Sequence, residues 1–282
     1  MKNKIIFLLL SIFFIEINSL NSRKLHAKNF ISESIVEMPE NIEAEIYDEI
    51  KTFLKSNKSE QNKSKDKLKK LLKEHLKLLK KQKINLDEFK YTNILDTDND
   101  YYLTLMQFTA LIGDIDSVID LLASGVDPKK ANRKFNTPLH YTTDVEIAEL
   151  LISQNINIDA KNYLGNTPLH KAAKYGNFEV VQILVQNKAK INELSYTDRT
   201  PLHLSIETNN NIISEFLINN GTNINSNTNS LKYTPLHTAI IAFNVNIIKL
   251  LLEKSADPNL KDIYGNTPLD LLNKLDKLKD AI

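Results

Sequence analysis

At 282 residues and 42% hydrophobic content, the chain has room for one large domain or two small ones built on a sizeable core. Its formal net charge of +1 is a regional balance, since residues 31–50 carry seven acids and no base while residues 63–83 carry ten lysines and two acids. The lack of cysteine excludes disulfides, thiolate zinc sites and cysteine nucleophiles.

Lys2 and Lys4 precede an apolar run from Ile5 to Ile15, IIFLLLSIFFI, and Ile17-Asn18-Ser19 offers a small residue to a signal peptidase. Residues 1–19 therefore read as a secretory signal and the chain as exported. A helix over that run rises only about 16 Å, roughly half of a hydrocarbon core. Glu16 blurs the end of the run, and the cut site lacks the small residue preferred three positions earlier. An uncleaved anchor that holds the chain on a membrane is thus the alternative.

Residues 20–99 read as a helical N-terminal segment. Between Phe30 and Asp100 there is no glycine and one proline, Pro39. Ile42, Ile46, Ile50, Phe53 and Leu54 predict an acidic amphipathic helix beginning near Asn41, with acids early and Lys51 and Lys55 late, as a helix dipole favours. SNKSEQN, residues 56–62, reads as a linker. In KLKKLLKEHLKLLKK the leucines Leu68, Leu71, Leu72, Leu76 and Leu79 then recur at helical spacing among lysines. They can cap the region that follows, with the acidic helix paired by opposite charge. Alternatively, residues 63–83 bind an anionic membrane or an acidic partner. Nucleic acid is the weakest reading, because no arginine or aromatic accompanies the lysines to read or stack bases. Asp96-Thr97-Asp98-Asn99-Asp100 opens like an EF-hand loop, but Tyr101 stands where glycine is required and Gln107 where a bidentate glutamate is. A polar finger is the better reading.

From residue 100 the chain repeats itself. Thr-Pro-Leu-His begins at Thr137, Thr167, Thr200 and Thr234, and Thr267-Pro268-Leu269-Asp270 follows, giving steps of 30, 33, 34 and 33. A degenerate copy starts 33 residues before the first, at Thr104. The step of 30 arises because Tyr141-Thr142-Thr143 runs directly into Asp144, without the three residues that read Lys174-Tyr175-Gly176 one copy later. An extra residue near Asn229 accounts for the step of 34. All six glycines fall on three phases, two residues before the threonine, nine after it and twenty-one after it, and seven of eight prolines fall on two.

One unit shows the mechanics. Threonine can cap a helix, and proline is tolerated at its first position, where the N–H has no intrahelical partner anyway. Leu169, Ala172 and Ala173 give the first helix a narrow apolar face until Gly176 breaks it. Val180, Val181, Ile183, Leu184 and Val185 stripe a second helix, echoed by Leu121-Leu122, Leu151-Ile152, Leu217-Ile218 and Leu251-Leu252. Gly125, Asn155 and Gly221 supply the left-handed turn that ends it, and an Asx-rich extended finger leads to the next Thr-Pro.

The period and the Thr-Pro-Leu-His phrase resemble the ankyrin repeat family over residues 100–282, with copies starting at 104, 137, 167, 200 and 234 and a half copy at 267. The implied fold class is an all-α solenoid of helix-turn-helix units with extended fingers, preceded by the helical N-terminal segment. The polar tail from Asn273 to Asp280 suits a cap facing water. The resemblance also implies that His140, His170, His203 and His237 link neighbouring repeats by hydrogen bonds. Zinc needs nitrogens about 2.0–2.1 Å from one centre, whereas stacked helices lie roughly 8–10 Å apart, so one histidine per repeat is expected to hold no metal.

No phosphate loop or nucleophile elbow occurs, and every glycine has a structural duty, so neither catalysis nor a cofactor is expected. Dispersed Ser, His and Asp converging in space would be the route to an enzyme. The family resemblance implies a protein-binding scaffold with an unidentified protein as partner. Candidate contacts are the finger aromatics Tyr102, Phe135, Tyr163, Tyr196, Tyr233 and Tyr264, with Tyr101 beside the first; the alternative is that several pack on adjacent fingers.

Overall fold

A computed structural model describes residues 45–46, 48–49, 52, 58–87, 90–92, 102–227 and 231–280 of the chain. The expected signal, the Asp96–Asp100 finger, Tyr101 and the insertion near Asn229 lie outside them.

The order begins with α1 (Lys58–Lys81) and an antiparallel ribbon of β1 (Lys90–Thr92) and β2 (Tyr102–Thr104), in which Tyr91 pairs with Leu103. The repeats follow as inner and outer helices: α2 (Leu105–Ile112) with α3 (Ile115–Ala123), then a 3-10 turn (Pro138–His140) with α4 (Val145–Ser153). Three further pairs are α5 (Pro168–Tyr175) with α6 (Phe178–Gln186), α7 (Pro201–Glu207) with α8 (Asn211–Asn219), and α9 (Pro235–Ile241) with α10 (Val245–Glu253). The described chain closes on α11 (Pro268–Asp280). Inner helices stack on inner helices and outer on outer, around one continuous core running from Ile46 to Ala256. The all-α repeat solenoid is thus present, with one short β-ribbon added at its start.

The caps form where the sequence places them. Thr167 accepts from the His170 N–H, Pro168 opens α5, and Gly176 at φ +80° donates its N–H to the Ala172 carbonyl. In the shortened copy the inner helix contracts to the 3-10 turn, and Asp144 then caps α4 by accepting from the Glu146 and Ile147 N–H groups. Of the outer-helix stripe, Leu121, Leu151, Val181, Leu184, Leu217 and Leu251 are buried, whereas Leu252 is exposed. Leu269 is exposed too, although the leucines at its phase, Leu139, Leu169, Leu202 and Leu236, are buried.

The three glycine phases mark a rule broader than glycine. Left-handed backbone recurs two residues before the threonine at Phe135, Gly165, Asp198, Lys232 and Gly265, and nine after it at Gly113, Gly176, Asn209 and Phe243. It recurs at each outer-helix exit at Gly125, Asn155, Lys188, Gly221 and Ser255. Gly165 alone of the glycines meets a backbone wall, for a Cβ there would lie 2.4 Å from the Tyr196 nitrogen. Gly165→Ala is therefore expected to lower stability by more than the about 1–2 kcal/mol of left-handed strain, while Gly265→Ala, with open space around it, should show the strain alone. Thermal melts of the two variants compare them directly.

The linker expected at residues 56–62 is corrected: α1 already includes residues 58–62, because that stretch has neither glycine nor proline to stop a helix. The expected pairing with the acidic segment is present. Glu45, Ile46, Asp48, Glu49 and Thr52 are helical, Ile46 is buried, and Glu49 accepts from Lys67 Nζ at 2.5 Å and from Ser64 Oγ. The five leucines expected to form its apolar face are buried, Leu78 beside them is half-buried, and Lys73 and Lys80 meet Asp116 and Asp120 of α3 at 2.8 and 2.6 Å.

α1 ends as the outer helices do. Lys83 is left-handed, and the Ile84 N–H reaches back five residues to the Leu79 carbonyl at 3.0 Å, as Val126 does to Leu121 and Ala256 to Leu251. Asp87 Oδ1 then accepts from the Asp127 N–H at 3.1 Å, just as Asp159 accepts from Lys190 and Asn225 from Asp257. α1 thus fills the outer-helix place of a degenerate unit. The change at residues 99 and 100 is one of sequence style, and the packed core runs through it.

Candidate functional site

Four described fingers are tight turns closed by the residue five before the threonine. Asn132 Oδ1 accepts from the N–H groups of Lys134 and Asn136, Asn162 from Leu164 and Asn166, and Asp262 from Tyr264 and Asn266. Ser195 Oγ does the same for Thr197 and Arg199. Adjacent fingers are joined through the backbone: the Tyr163 N–H donates to Lys134 and the Tyr196 N–H to Leu164, both at 2.9 Å, and Ile263 donates to Leu231 at 3.0 Å. The finger tips are therefore fixed relative to one another before any partner arrives.

Behind the fingers, histidine fastens one repeat to the next. His170 Nδ1 accepts from Thr167 N–H and from its hydroxyl, at 3.2 and 2.8 Å, while Nε2–H donates 2.9 Å to the Arg199 carbonyl in the next finger. His140, His203 and His237 reach the carbonyls of Asn166, Tyr233 and Asn266 in the same way. A carbonyl can only accept, so Nε2 carries the proton and the ring is neutral. Burial pushes His140, His170 and His203 down to about 4, and lowers His237 as well. These rings are architecture.

Two other residues take up this duty unannounced by the motif, one in full and one only as a cap. In the first unit Gln107 stands at the histidine phase, its Oε1 accepting from Thr104 N–H at 3.1 Å and its Nε2 donating to the Asn136 carbonyl at 2.8 Å. In the last unit Asp270 accepts from the Thr267 N–H and hydroxyl at 2.9 and 2.8 Å. The signal was chemical type at a fixed phase: an amide can accept and donate, a carboxylate can only accept.

Of the expected contact aromatics, Phe135 is 62% exposed, Tyr196 68% and Tyr264 70%, with Tyr163 partly open at 43%. Phe135, Tyr163 and Tyr196 sit on three successive fingers. Tyr196 also lies over Gly165 of the preceding finger, which fulfils part of the packing alternative. Tyr233 is half-buried and stacks on His237, with centroids 5.7 Å apart, so it belongs to the interior of its own repeat. Tyr102 lies in β2 opposite Thr92.

Cations accompany the rings, a feature that spacing alone did not expose. Lys134 Nζ stands 4.8 Å from the Tyr163 centroid and Lys161 Nζ 5.8 Å from that of Tyr196. On the inner-helix side, Lys171 of α5 stands 5.6 Å from Tyr141 and 4.7 Å from Tyr175. Tyr141 is buried, accepts from Asn132 Nδ2 at 3.0 Å, and has its phenol pushed up to about 12 by burial. Burial, helped by neighbouring Lys174, also pushes the Lys171 ammonium down to about 8.

A family model described as ankyrin repeats matches the chain in three copies, over residues 105–195 and 192–262. An ankyrin repeat protein of fowlpox virus (strain NVSL) is 31% identical over 156 residues, which cover 54% of this chain and 82% of that protein. NF-kappa-B inhibitor alpha from Sus scrofa is 51% identical over 43 residues, 15% of this chain, and the match spans 14% of that protein. An ankyrin repeat-containing protein of Schizosaccharomyces pombe is 38% identical over 50 residues, covering 18% of this chain and 24% of that one.

Proposed function

This chain belongs to the ankyrin repeat family, and from that premise we propose that it is an exported scaffold that grips another protein with its finger tips and inner-helix face. Ankyrin repeats mediate binding between proteins. The pig relative is named for inhibition of NF-kappa-B, and a match over 43 residues carries repeat geometry to this chain, not that partner.

The observation that carries the reading is the row of finger tips, locked to one another by backbone hydrogen bonds, that holds Phe135, Tyr163 and Tyr196 outward. Aromatics on rigid turns lose little entropy on binding and make strong anchors. Export rests on Lys2, Lys4 and the apolar run up to Ile15. We read the scaffold as non-enzymatic, because the four motif histidines spend both ring nitrogens on structural bonds.

The test is affinity capture from extracts and medium of the source organism, comparing the chain with a Tyr163→Ala, Tyr196→Ala, Tyr264→Ala triple variant. A protein lost selectively from the folded triple variant, by about tenfold or more, is the expected result. Unchanged recovery would remove the finger face from the account.

The runner-up is attachment to an anionic surface or acidic partner through α1. Its leucine face is buried, so only the exposed lysines such as Lys63, Lys70 and Lys77 are on offer. No helix among the described residues is long and apolar enough to cross a membrane.

A further inference from the structure

The contracted second copy leaves a mark on the inner-helix face. Its 3-10 turn ends at His140, so Lys174 and Tyr175 of α5 have no counterpart in the preceding unit. Tyr141, which stands at the phase of Lys171, is buried, and Lys171 Nζ is within reach of the rings of both Tyr141 and Tyr175. Lys174 stands 5.8 Å from the Tyr175 centroid, and Lys134 crosses Tyr163 on the finger above. Three lysines and three tyrosines thus share one corner of the binding face.

Among the described residues Lys171 Nζ meets no carboxylate and no other hydrogen-bond acceptor, while Lys174 feels the charge of Glu207. The acids of the adjoining repeat are already engaged, Glu193 with Lys161 and Glu207 with Arg199 Nε, each at 2.8 Å. Ring faces attract a cation but leave its three N–H donors unsatisfied. An ammonium framed by aromatic walls, and so partly stripped of water, gains more from an incoming carboxylate than an exposed lysine does. The shifted Lys171 titration fits that desolvation.

We propose that the Tyr141–Lys171–Tyr175 corner is the anchor for a glutamate or aspartate side chain of an acidic segment in the bound protein. The inference rests on the finger-face reading and names its partner chemistry. The carboxylate takes two N–H donors of Lys171, and the exposed Tyr175 hydroxyl can add a third.

The probe is a fluorescein-labelled hexaglutamate peptide, titrated by anisotropy into the full chain, its Lys171→Met and Lys171→Arg variants, and Lys249→Met as an exposed outer-helix control. The expected result is binding by the unaltered chain, weakening of about tenfold in Lys171→Met, and little change in Lys171→Arg or Lys249→Met. Equal affinity in Lys171→Met, no binding at all, or binding of a phosphoserine peptide alone would overturn the proposal. If Lys171→Met fails to fold, amide shifts in the unaltered chain decide: changes at Tyr141, Lys171 and Tyr175 support the anchor, and changes confined to the α1 lysines refute it. A partner lost from the triple-tyrosine variant without hexaglutamate binding discards the anchor and keeps the finger face; the converse keeps the anchor and discards the fingers.

Discussion

His170→Ala is expected to destabilise the chain by about 3 kcal/mol or more, and His170→Gln by about 1 kcal/mol. The alanine variant leaves the buried Thr167 N–H without its acceptor, and it takes one partner each from the Thr167 hydroxyl and the Arg199 carbonyl, which keep the His170 N–H and the Ser195 N–H. The stranded N–H costs about 1–3 kcal/mol, and the lost ring adds the cost of a void in a fully buried place. Glutamine supplies one acceptor and one donor on a side chain of similar reach, as Gln107 already does between Thr104 and Asn136. Because neighbouring repeats are stacked in a line, the damage falls on the interface between the third and fourth units. Denaturant melts check both variants. Equal losses would mean that the imidazole serves by packing and that its hydrogen bonds are incidental.

Acidification from pH 7 to pH 5 is expected to remove on the order of 5 kcal/mol or more of stability. Burial holds His75, His140, His170 and His203 down at about 4 in the folded chain, against about 6.5 in an unfolded one. Between those values the unfolded chain binds more protons, so stability rises with pH by about 1.4 kcal/mol per unit for each ring. The contribution is complete above pH 6.5 and is lost as pH falls toward 4. Protonation also destroys the acceptor at Nδ1 that the threonine needs. Melting temperatures between pH 7.5 and 4.5 should fall steeply in the unaltered chain, and less steeply when His140, His170 and His203 are replaced by glutamine. A parallel slope in both would place the acid sensitivity elsewhere.

The repeat was legible because its special residues share a clock, yet the clock marks backbone shape and not residue type. Glycine announced the three left-handed phases, but Phe135, Asp198, Lys232, Asn209 and Phe243 adopt the same backbone unannounced. Strain of about 1–2 kcal/mol is small enough for tertiary context to impose it on any side chain. The same logic hid Gln107 and Asp270, whose role depends on which atoms they present and not on the motif. The start of α1 was misread because Ser56, Asn57, Ser59 and Asn62 look like a linker, while the local absence of glycine and proline was the stronger signal. The six candidate aromatics were legible as finger residues, and their separation was not: Tyr233 turns inward onto His237 while Tyr196 faces out. Spacing could pair Lys171 with Tyr175, four residues on in α5, but not with Tyr141, which comes from the preceding, shortened repeat.

The most direct test of a binding finger face uses a photoreactive amino acid placed at Tyr196, on a finger tip, or at Ile212, which is equally exposed on the outer helix α8. Irradiation with the captured partner should give a covalent adduct from position 196 and little or none from position 212. Adducts from position 212 alone, or equally from both, would contradict recognition through the fingers and inner helices.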